Sequence, residues 1–491
     1  MTVLADWPGP LAVADPAVVS ELRSVLLAGG FDGRTVRQAI GAEGPVLARP
    51  GDAPVLRRRP AGREPLATFA ALFLLDLELP LAAVRRAFAP LALERLAQLG
   101  LVECGSGRVR ACVRLVPHDD LLIASDTTGA EGPAHVPGVH NPSLTLAQLT
   151  VRRRVAAALD VGTGCGIQAI LASRHSGRVV ATDVNERALN FAAFNAILNG
   201  AENIELRAGS YLEPVAGERF DIVTCNPPYV ISPETAFVYR DGGLAGDSVS
   251  RNVVQAVPEA LEEGGYATVL VSWMHPPGEA WPERLREWVP ASGSDALLLH
   301  YQTQDPLTHA ASWTRDDPES VDAALERWLG YLDGLGIEGI AYGAVVLRRR
   351  DAPEHHVLAH ELPKAGLRAA GAHIERLFAA ADHLAGVSDE ALLGERLALT
   401  EHARVEQRVT LRAGTWAIDD ITLSLDEGLG FDVPLAPAAA HLLAALDASC
   451  TLAEVVEALA KAHGVDAPAL TPDAVQLARE LLARAFLERA T

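Results

Sequence analysis

The pattern of apolar and polar positions changes twice along the chain. From residue 1 to 116, apolar residues recur at helical spacing, as in "AVVSELRSVLLAGG", which Asp15 and Pro16 precede as an N-cap and a first helical residue. This part closes on "LVECGSGRVRACVRLVP", where two alternating runs flank a Gly-Ser-Gly turn and predict a β-hairpin. Helices followed by a hairpin predict a winged-helix-like N-terminal domain.

From residue 117 to 350, short apolar runs alternate with helical stretches. This alternation predicts an α/β fold, a Rossmann-like, doubly wound, mostly parallel sheet of seven strands. The predicted strands are 154–162, 177–183, 203–209, 220–228, 264–273, 295–301 and 339–350. The stretch 276–336, rich in Pro, Trp and Asp, is predicted to be an insertion or a lid-like excursion.

The last part is predicted to hold a linker and a small domain. Residues 351–408 are interpreted as a helical linker. Residues 409–491 begin with strand patterns and continue with two helical stretches, for which Thr451 and Thr471 are the expected caps. The order predicts a small α+β domain, winged-helix-like in pattern.

The charge balance argues against one class of function. The 491 residues carry 42 Lys and Arg against 63 Asp and Glu, a formal net charge of −21. A protein that grips nucleic acid over a broad surface needs a local excess of cations. Nucleic-acid binding is therefore left to three short arginine triplets, for which a solvated surface is the simpler interpretation. They are Arg57–Arg59, Arg152–Arg154 and Arg348–Arg350.

Cysteine, histidine and hydropathy patterns bear on metal binding, disulfide formation and cellular compartment. The five cysteines form no CxxC pair, and the His355-His356 pair lacks partner ligands, so neither a disulfide framework nor a metal site is expected. The most apolar window, 66–84, holds Asp76 and Glu78, which a bilayer-spanning helix would not tolerate. No signal-peptide pattern opens the chain. The expectation is a protein of the reducing cytoplasm, with no membrane partner.

Two acidic strand ends mark a nucleoside site. In "LDVGTGCGIQAI" a strand ends on Asp160 and a glycine-rich turn leads into a helix, so the backbone can approach a ligand closely. The next strand ends on Asp183, whose carboxylate can accept hydrogen bonds from both hydroxyls of a ribose. A dinucleotide fold in which Asp183 holds an NAD ribose is the alternative.

The fourth strand ends at a pair of prolines that lies between an amide and an aromatic side chain. In "DIVTCNPPYVI" two prolines stop the strand between Asn226 and Tyr229, because proline cannot donate to the ladder. The side-chain carbonyl of Asn226 and the backbone carbonyl of Pro227 can each accept one N–H of a planar amino group. Fixed acceptors bind such a nitrogen best when it becomes pyramidal and positive, which stabilises a transition state. Tyr229 can stack on the planar group.

The tetrapeptide resembles the (N/D)PP(Y/F) signature of class I S-adenosylmethionine-dependent methyltransferases that modify planar nitrogens. These include the release-factor glutamine, the adenine-amino and the ribosomal guanine-amino methyltransferases, and the resemblance covers roughly residues 135 to 275. It implies S-adenosylmethionine as cofactor and a catalytic role for Asn226, Pro227, Pro228 and Tyr229. The cofactor-binding residues that it implies are Asp160, Gly162, Thr163, Gly164, Gly166, Asp183, Val184, Ser210 and Asn226. Ser210 stands where many relatives carry an acidic residue, so its hydroxyl would have to accept the adenine contact.

Segments on either side of the strands are also implicated. The resemblance implies that His135, His140 and Asn141 face the methionine end of the cofactor, the alternative being a solvent loop capped by Ser143. The glycine-rich stretch 241–246 is expected to shape the substrate mouth.

Several acceptors stay open at this point. A protein glutamine, a nucleobase of RNA or DNA, and a small molecule or peptide natural product all present a planar nitrogen. A macromolecule is favoured because the flanking domains exceed what a small-molecule pocket needs. A cofactor-binding interaction module without turnover is the remaining hypothesis, and an intact Asn226 and Tyr229 argue against it.

Overall fold

The computed structural model describes residues 7–41, 53–130, 132–235, 239–289, 293–314, 320–363 and 367–490. They fall into two compact units, one of residues 1–147 with 153–359 and the other of residues 148–152 with 360–491. The four-way division predicted from the sequence, with boundaries at 116, 350 and 408, stays a prediction.

The first unit opens with short helices and a small antiparallel sheet. The helices are α1 (Pro16–Ala28), α2 (Gly33–Ile40), α3 (Ala53–Arg58), α4 (Leu66–Phe73), α5 (Leu81–Phe88) and α6 (Leu93–Gln98). The strands are β1 (Leu79–Pro80), β2 (Val102–Gly105) and β3 (Arg108–Ala111), followed by a separate hairpin of β4 (Arg114–His118) and β5 (Leu121–Ser125). As predicted, Asp15 caps α1, accepting from the Val18 amide at 3.3 Å, and β2 and β3 form a hairpin. The winged-helix assignment stays a prediction.

The core of the first unit is a mixed sheet in the order β13-β11-β12-β10-β9-β6-β7-β8. Its strands are β6 (Val155–Val161), β7 (Ser176–Asp183), β8 (Ile204–Ala208), β9 (Phe220–Cys225), β10 (Leu261–His275), β11 (Ser294–Gln304), β12 (Gly339–Arg349) and β13 (Val357–Glu361). The helices that accompany it are α7 (Asn141–Leu149), α8 (Ile167–Ser173), α9 (Glu186–Leu198), α10 (Ser248–Ala256), α11 (Glu283–Trp288), α12 (Pro306–Trp313) and α13 (Val321–Gly334).

The sheet is mostly parallel, as predicted, but it has eight strands. The pairs β6–β7, β7–β8, β6–β9 and β9–β10 are parallel, whereas β12 runs antiparallel to β10 and β11. The prediction of seven strands missed β13, a short and half-exposed strand next to β11 in a stretch interpreted as helical linker. All seven predicted strands lie in the sheet; most are buried and keep a near-continuous apolar run, whereas β8 at the edge is only partly buried.

The stretch 276–336 is not an excursion from the sheet. It supplies the strand β11 together with α11, α12 and α13. Residues 296–299 of β11 are fully buried, and Leu298 belongs to the same core cluster as Leu159 and Trp273. Burial of this apolar run explains why the stretch joins the sheet.

The predicted basic triplet Arg348–Arg350 is an internal ion-pair cluster. Arg348 and Arg350 both donate to Asp295, a fully buried carboxylate, with Nε–Oδ2 distances of 2.9 Å. Burial would raise the pKa of Asp295, but the two guanidinium groups and the His356 amide hold it well below its usual range. Arg349 donates to two backbone carbonyls instead of facing a partner. The triplet therefore stabilises β11 and β12.

The second unit contains two small sheets and five helices. The helices are α14 (Gly371–Gly386), α15 (Asp389–Leu393), α16 (Pro437–Ala445), α17 (Leu452–His463) and α18 (Ala467–Ala483). The strands β18 (Asp447–Thr451), β14 (Arg396–Leu399) and β19 (Leu487–Arg489) form one sheet, and β15 (Ala403–Arg412), β16 (Thr415–Leu425) and β17 (Asp432–Pro434) the other. The predicted linker 351–408 is therefore not purely helical, because β13, β14 and the start of β15 lie in it. The winged-helix pattern stays a prediction here too.

The two predicted threonine caps have different outcomes. Thr451 caps α17 in a capping box with Glu454. Thr471 was predicted wrongly: it lies inside α18 and donates to the Ala467 carbonyl at 2.9 Å. A Thr-Pro pair is typical of a helix start, but α18 begins a turn earlier and accommodates Pro472 in its interior. No helix among the described residues is both long and apolar enough to cross a bilayer.

Candidate active site

The glycine loop connects β6 to α8 at the carboxyl edge of the sheet. Gly162 and Gly164 have φ of 69° and 55°, in the left-handed region that favours glycine. A Cβ atom at either position would meet no protein atom within 4 Å, so both leave the space beside the loop open. Gly166 has another role: a Cβ there would lie 3.0 Å from Cα and Cβ of Ala192, so the glycine lets α8 approach α9.

Asp160 lies beneath the loop and is only 2% exposed. Its carboxylate accepts from the hydroxyl of Thr163 at 2.6 Å and from that of Thr224 in β9 at 2.8 Å. Burial raises the pKa of Asp160 to about 6, against the opposing effect of the two hydroxyls. The carboxyl thus ties the glycine loop to the neighbouring strand.

Asp183 ends β7 and faces the same loop. One carboxylate oxygen accepts from the Gly164 amide and the other from the Asn185 amide, both at 2.9 Å. Burial raises its pKa, an effect that these amides oppose. Each oxygen has a second lone pair, so the carboxylate still has acceptor capacity for a ligand. Val184, 61% exposed, and Ser210, which follows β8, lie beside it in the wall of one cavity.

This first cavity, of about 350 Å³, gathers most of the predicted cofactor residues. Its lining includes Asp160, Gly162, Thr163, Gly164, Asp183, Val184, Ser210, Asn226, Pro227 and Pro228. Of the predicted set, Gly166 and Tyr229 do not line it. The cavity lies where β7 and β9 flank β6 on opposite sides, the switch point at which open α/β sheets bind ligands.

The motif Asn226-Pro227-Pro228-Tyr229 follows β9 directly and is held by its backbone. The Tyr229 carbonyl accepts from the hydroxyl of Ser272 in β10, and Tyr229 forms an isolated antiparallel bridge with Asp241. Burial raises the pKa of the Tyr229 hydroxyl to about 12, so the ring stays neutral. The backbone at the end of the motif is therefore held by Ser272 and by the bridge to Asp241.

Asn226 and Pro227 line a second cavity, of about 450 Å³, as well as the first. Among the described residues, five Tyr and Trp side chains contribute to its wall, and Tyr229 of the motif is one of them. The others are Tyr239, Tyr301, Trp313 and Tyr342. Asn226 and Pro227 thus belong to the walls of both cavities, as do Pro137, His140 and Tyr239.

The flanking segments contribute to both cavities, and Asn141 and Asp241 do not lie where they were expected. His135 lines the first cavity, Asn141 the second, and His140 both. Ser143 accepts from the His140 amide at 3.0 Å, but it is a buried residue of α7 and not the cap of a solvent loop. Asp241 lines the first cavity.

An asparagine clamp escaped the sequence analysis. Asn195 and Asn199, one turn apart on α9, bond the backbone of Ala124 and Leu122 in β5, each as donor and acceptor at 2.7–3.0 Å. Asn195 also donates to the Cys165 carbonyl of the glycine loop at 2.8 Å. The helix thereby satisfies β5 as a neighbouring strand would. The spacing of four was visible, but the partners in β5 lie more than seventy residues away and Cys165 lies thirty residues away.

The fold and this site define a class I methyltransferase domain. Residues 141–279 match the family described as "Methyltransferase small domain", so this part of the chain is a methyltransferase domain with S-adenosylmethionine as its cofactor. Residues 28–112 and 375–489 match two domains of unknown function (DUF7059 and DUF7782).

Two curated relatives resemble part of the chain. The release factor glutamine methyltransferase of Xylella fastidiosa is 33% identical over 136 residues, 25% of this chain and 47% of the relative. The ribosomal protein uL3 glutamine methyltransferase of Bradyrhizobium diazoefficiens is 32% identical over 164 residues, 30% of this chain and 50% of the relative. The chain thus spans about half the length of these relatives. A solved rRNA methylase of Streptococcus thermophilus covers 43% of this chain and 99% of its own, with 17% identity and a TM-score of 0.25.

Proposed function

We propose that the protein is an S-adenosylmethionine-dependent N-methyltransferase whose acceptor is the side-chain amide of a glutamine in a protein. One observation carries the proposal: Asn226 and Pro227 form a wall common to the glycine-lined and the aromatic cavity. An acceptor nitrogen held by that wall would lie next to whatever occupies the first cavity.

The first cavity fits the cofactor. Asp183 supplies a carboxylate for ribose hydroxyls, Val184 an exposed apolar surface for the adenine ring, and Gly162 and Gly164 the open space beside the loop. When bound there, S-adenosylmethionine supplies an electrophilic methyl group.

The motif supplies the nucleophile's orientation. An amide nitrogen is a poor nucleophile, because its lone pair is delocalised into the carbonyl. The Asn226 side-chain oxygen and the Pro227 carbonyl would accept its two N–H groups and direct the lone pair toward the first cavity. Both acceptors interact more strongly as the nitrogen becomes positive, so they favour the transition state over the bound amide. Their rigid placement through Ser272 and the prolines avoids reorganisation during the step.

The glutamine assignment rests on similarity and on charge. Both curated relatives named above are glutamine methyltransferases, and residues 141–279, which contain the glycine loop and the motif, match the methyltransferase family. A net charge of −21 disfavours an extended nucleic-acid substrate. A glutamine acceptor in a translation protein would place the reaction in the cytoplasm.

The test separates methyl transfer from cofactor binding. Labelled S-adenosylmethionine is incubated with extract of a strain lacking the protein, and incorporation is compared for wild type, Asn226→Ala and Asp183→Ala. Asn226→Ala should lower incorporation by at least 100-fold, about 2.7 kcal/mol of transition-state stabilisation, with cofactor binding nearly unchanged. Asp183→Ala should weaken cofactor binding in equilibrium dialysis, because ribose acceptor and loop tether are lost together.

The conservative variant Asn226→Asp serves as the control, because its carboxylate keeps oxygen acceptors at the same place. It should retain measurable incorporation. Full incorporation with Asn226→Ala would refute the mechanism. Label released by protease supports the glutamine acceptor, whereas label released by nuclease would replace it with a nucleobase.

A further inference from the structure

The aromatic cavity is lined by a tyrosine whose buried hydroxyl has no partner among the described residues. Tyr301 of β11 lines this cavity, and its hydroxyl oxygen is shielded from solvent and bonds no group among the described residues. A buried polar group without a partner costs about 1–3 kcal/mol, so native proteins rarely keep one without a use. The orphan hydroxyl therefore points to a ligand atom as its missing partner.

The backbone at this position is built irregularly. In the β11–β12 ladder, His300 pairs with Gly343 and Gln302 pairs with Tyr342, so Tyr301 is the extra residue of a β-bulge. Bulges re-aim a side chain and often lie next to active sites. Opposite the bulge, a Cβ at Gly343 would come within 1.9 Å of the Leu299 carbonyl oxygen, so the close strand approach depends on glycine.

A second tyrosine in the same cavity provides a contrast. His309 bonds the Ile231 carbonyl through Nε2 at 2.9 Å, and a carbonyl can only accept, so Nε2 carries the proton. Burial lowers the pKa of His309, which keeps the ring neutral. Its Nδ1 therefore accepts the hydroxyl proton of Tyr342. The Tyr342 hydroxyl is thus satisfied within the protein, unlike that of Tyr301.

We propose that the Tyr301 hydroxyl positions the acceptor by donating a hydrogen bond to the carbonyl oxygen of its amide. This inference rests on the proposed function. A glutamine amide offers two N–H donors and one acceptor oxygen; Asn226 and Pro227 account for the donors, and the oxygen needs a donor from the cavity wall. The orphan O–H of Tyr301 is complementary to that need.

The role predicts a specific kinetic signature. As the nitrogen lone pair leaves conjugation, negative charge on the amide oxygen decreases, so a hydrogen bond to that oxygen does not strengthen in the transition state. Such an interaction contributes to binding and not to the chemical step. Its loss should raise the acceptor concentration at half-maximal rate and leave the maximal rate unchanged.

The variant Tyr301→Phe tests this by removing only the hydroxyl. Initial rates of label incorporation are measured against increasing concentrations of the extract used above. The extract concentration at half-maximal rate should rise about three- to tenfold, as expected for one neutral hydrogen bond, with the maximal rate within twofold of wild type. Cofactor binding should not change. The melting temperature should not fall, because the lost hydroxyl has no partner in the free protein.

Tyr342→Phe is the matched control, and it should lower the melting temperature, because it leaves Nδ1 of His309 unpaired. Three results with Tyr301→Phe would each overturn the inference while the proposed function stands. The half-saturating extract concentration could stay unchanged, the maximal rate could fall while that concentration stays unchanged, or the melting temperature could fall. If wild type transfers no label, or Asn226→Ala transfers it fully, the proposed function fails and this inference with it.

Discussion

Asp160 shows what one buried carboxyl does beneath the glycine loop. It joins Thr163 of the loop to Thr224 of the neighbouring strand, and its pKa is raised to about 6 from an ordinary value of 3.8. The folded protein thus holds a proton at a pH where the unfolded chain has released it. The stability that this site contributes is present below pH 4 and is lost as the pH rises through 6.

We expect Asp160→Asn to remove this pH dependence. The difference in free energy of unfolding between Asp160→Asn and wild type should rise in favour of the variant by about 2 kcal/mol from pH 4.5 to pH 7.5. The size follows because a shift of one pKa unit corresponds to about 1.4 kcal/mol. Urea unfolding at the two pH values measures the difference. A difference that stays constant across this range would mean that Asp160 titrates in its ordinary range.

At the scale of single residues, the sequence indicated types of chemistry but not partners. The acidic strand ends and the tetrapeptide stand out in the chain, because each breaks an apolar run at the place where a strand stops. That Asp183 holds the Gly164 amide, or that Ser272 holds the Tyr229 carbonyl, depends on residues far apart in sequence. No local pattern could have predicted these bonds.

Among the elements, β11 and β12 connect stability to the aromatic cavity. Their ladder carries the bulge at Tyr301, and Gly343 lies at the closest approach of the two strands. The seven predicted strands were recognised by their apolar runs. The bulge was not recognised. An added residue changes how β11 pairs with β12, and a continuous apolar run such as that of β11 has no alternation that would reveal it.

We expect Gly343→Ala to destabilise the protein by about 1–3 kcal/mol, since the added methyl group would overlap the Leu299 carbonyl. Gly330→Ala is the matched control: Gly330 lies inside α13, and a Cβ there meets no atom within 4 Å. It should stabilise the protein by about 0.5–1 kcal/mol through helix propensity. Thermal unfolding of the two variants should shift in opposite directions, and a shared direction would contradict the strand geometry.

At the scale of the whole molecule, the charge balance bears on whether the acceptor is a protein or a nucleic acid. The chain as a whole has an excess of acidic residues, although residues 1–116 carry 14 Arg against 11 Asp and Glu. The side chains of the Arg348–Arg350 triplet are bound by Asp295 and backbone carbonyls. In the first unit Arg153 likewise donates to the Gly264 carbonyl at 2.7 Å and lies over the ring of Tyr266. The Arg348–Arg350 triplet therefore supplies less free cationic surface than its sequence indicates, whereas Arg57–Arg59 and Arg152–Arg154 are exposed.

We predict that the protein does not bind unstructured RNA through phosphate contacts. Fluorescence anisotropy with a labelled RNA, at 50 and 200 mM salt, should show no micromolar affinity and little dependence on salt. A protein that makes several phosphate contacts would lose affinity by orders of magnitude over this interval. A steep slope would shift the proposed acceptor from glutamine to a nucleobase.

What the chain reveals before folding is the order of its elements and the chemistry at their ends, because periodicity, caps and turn residues act between near neighbours. Tertiary structure decided which of those ends meet. Parallel pairing of β6 with β7 and β9 brings Asp160, Asp183 and Asn226 to one edge, and Asn226 there belongs to the walls of two cavities. Tertiary structure also decided the eighth strand, the asparagine clamp, the Asp295 cluster and the bulge at Tyr301. Each depends on contacts between residues distant in sequence.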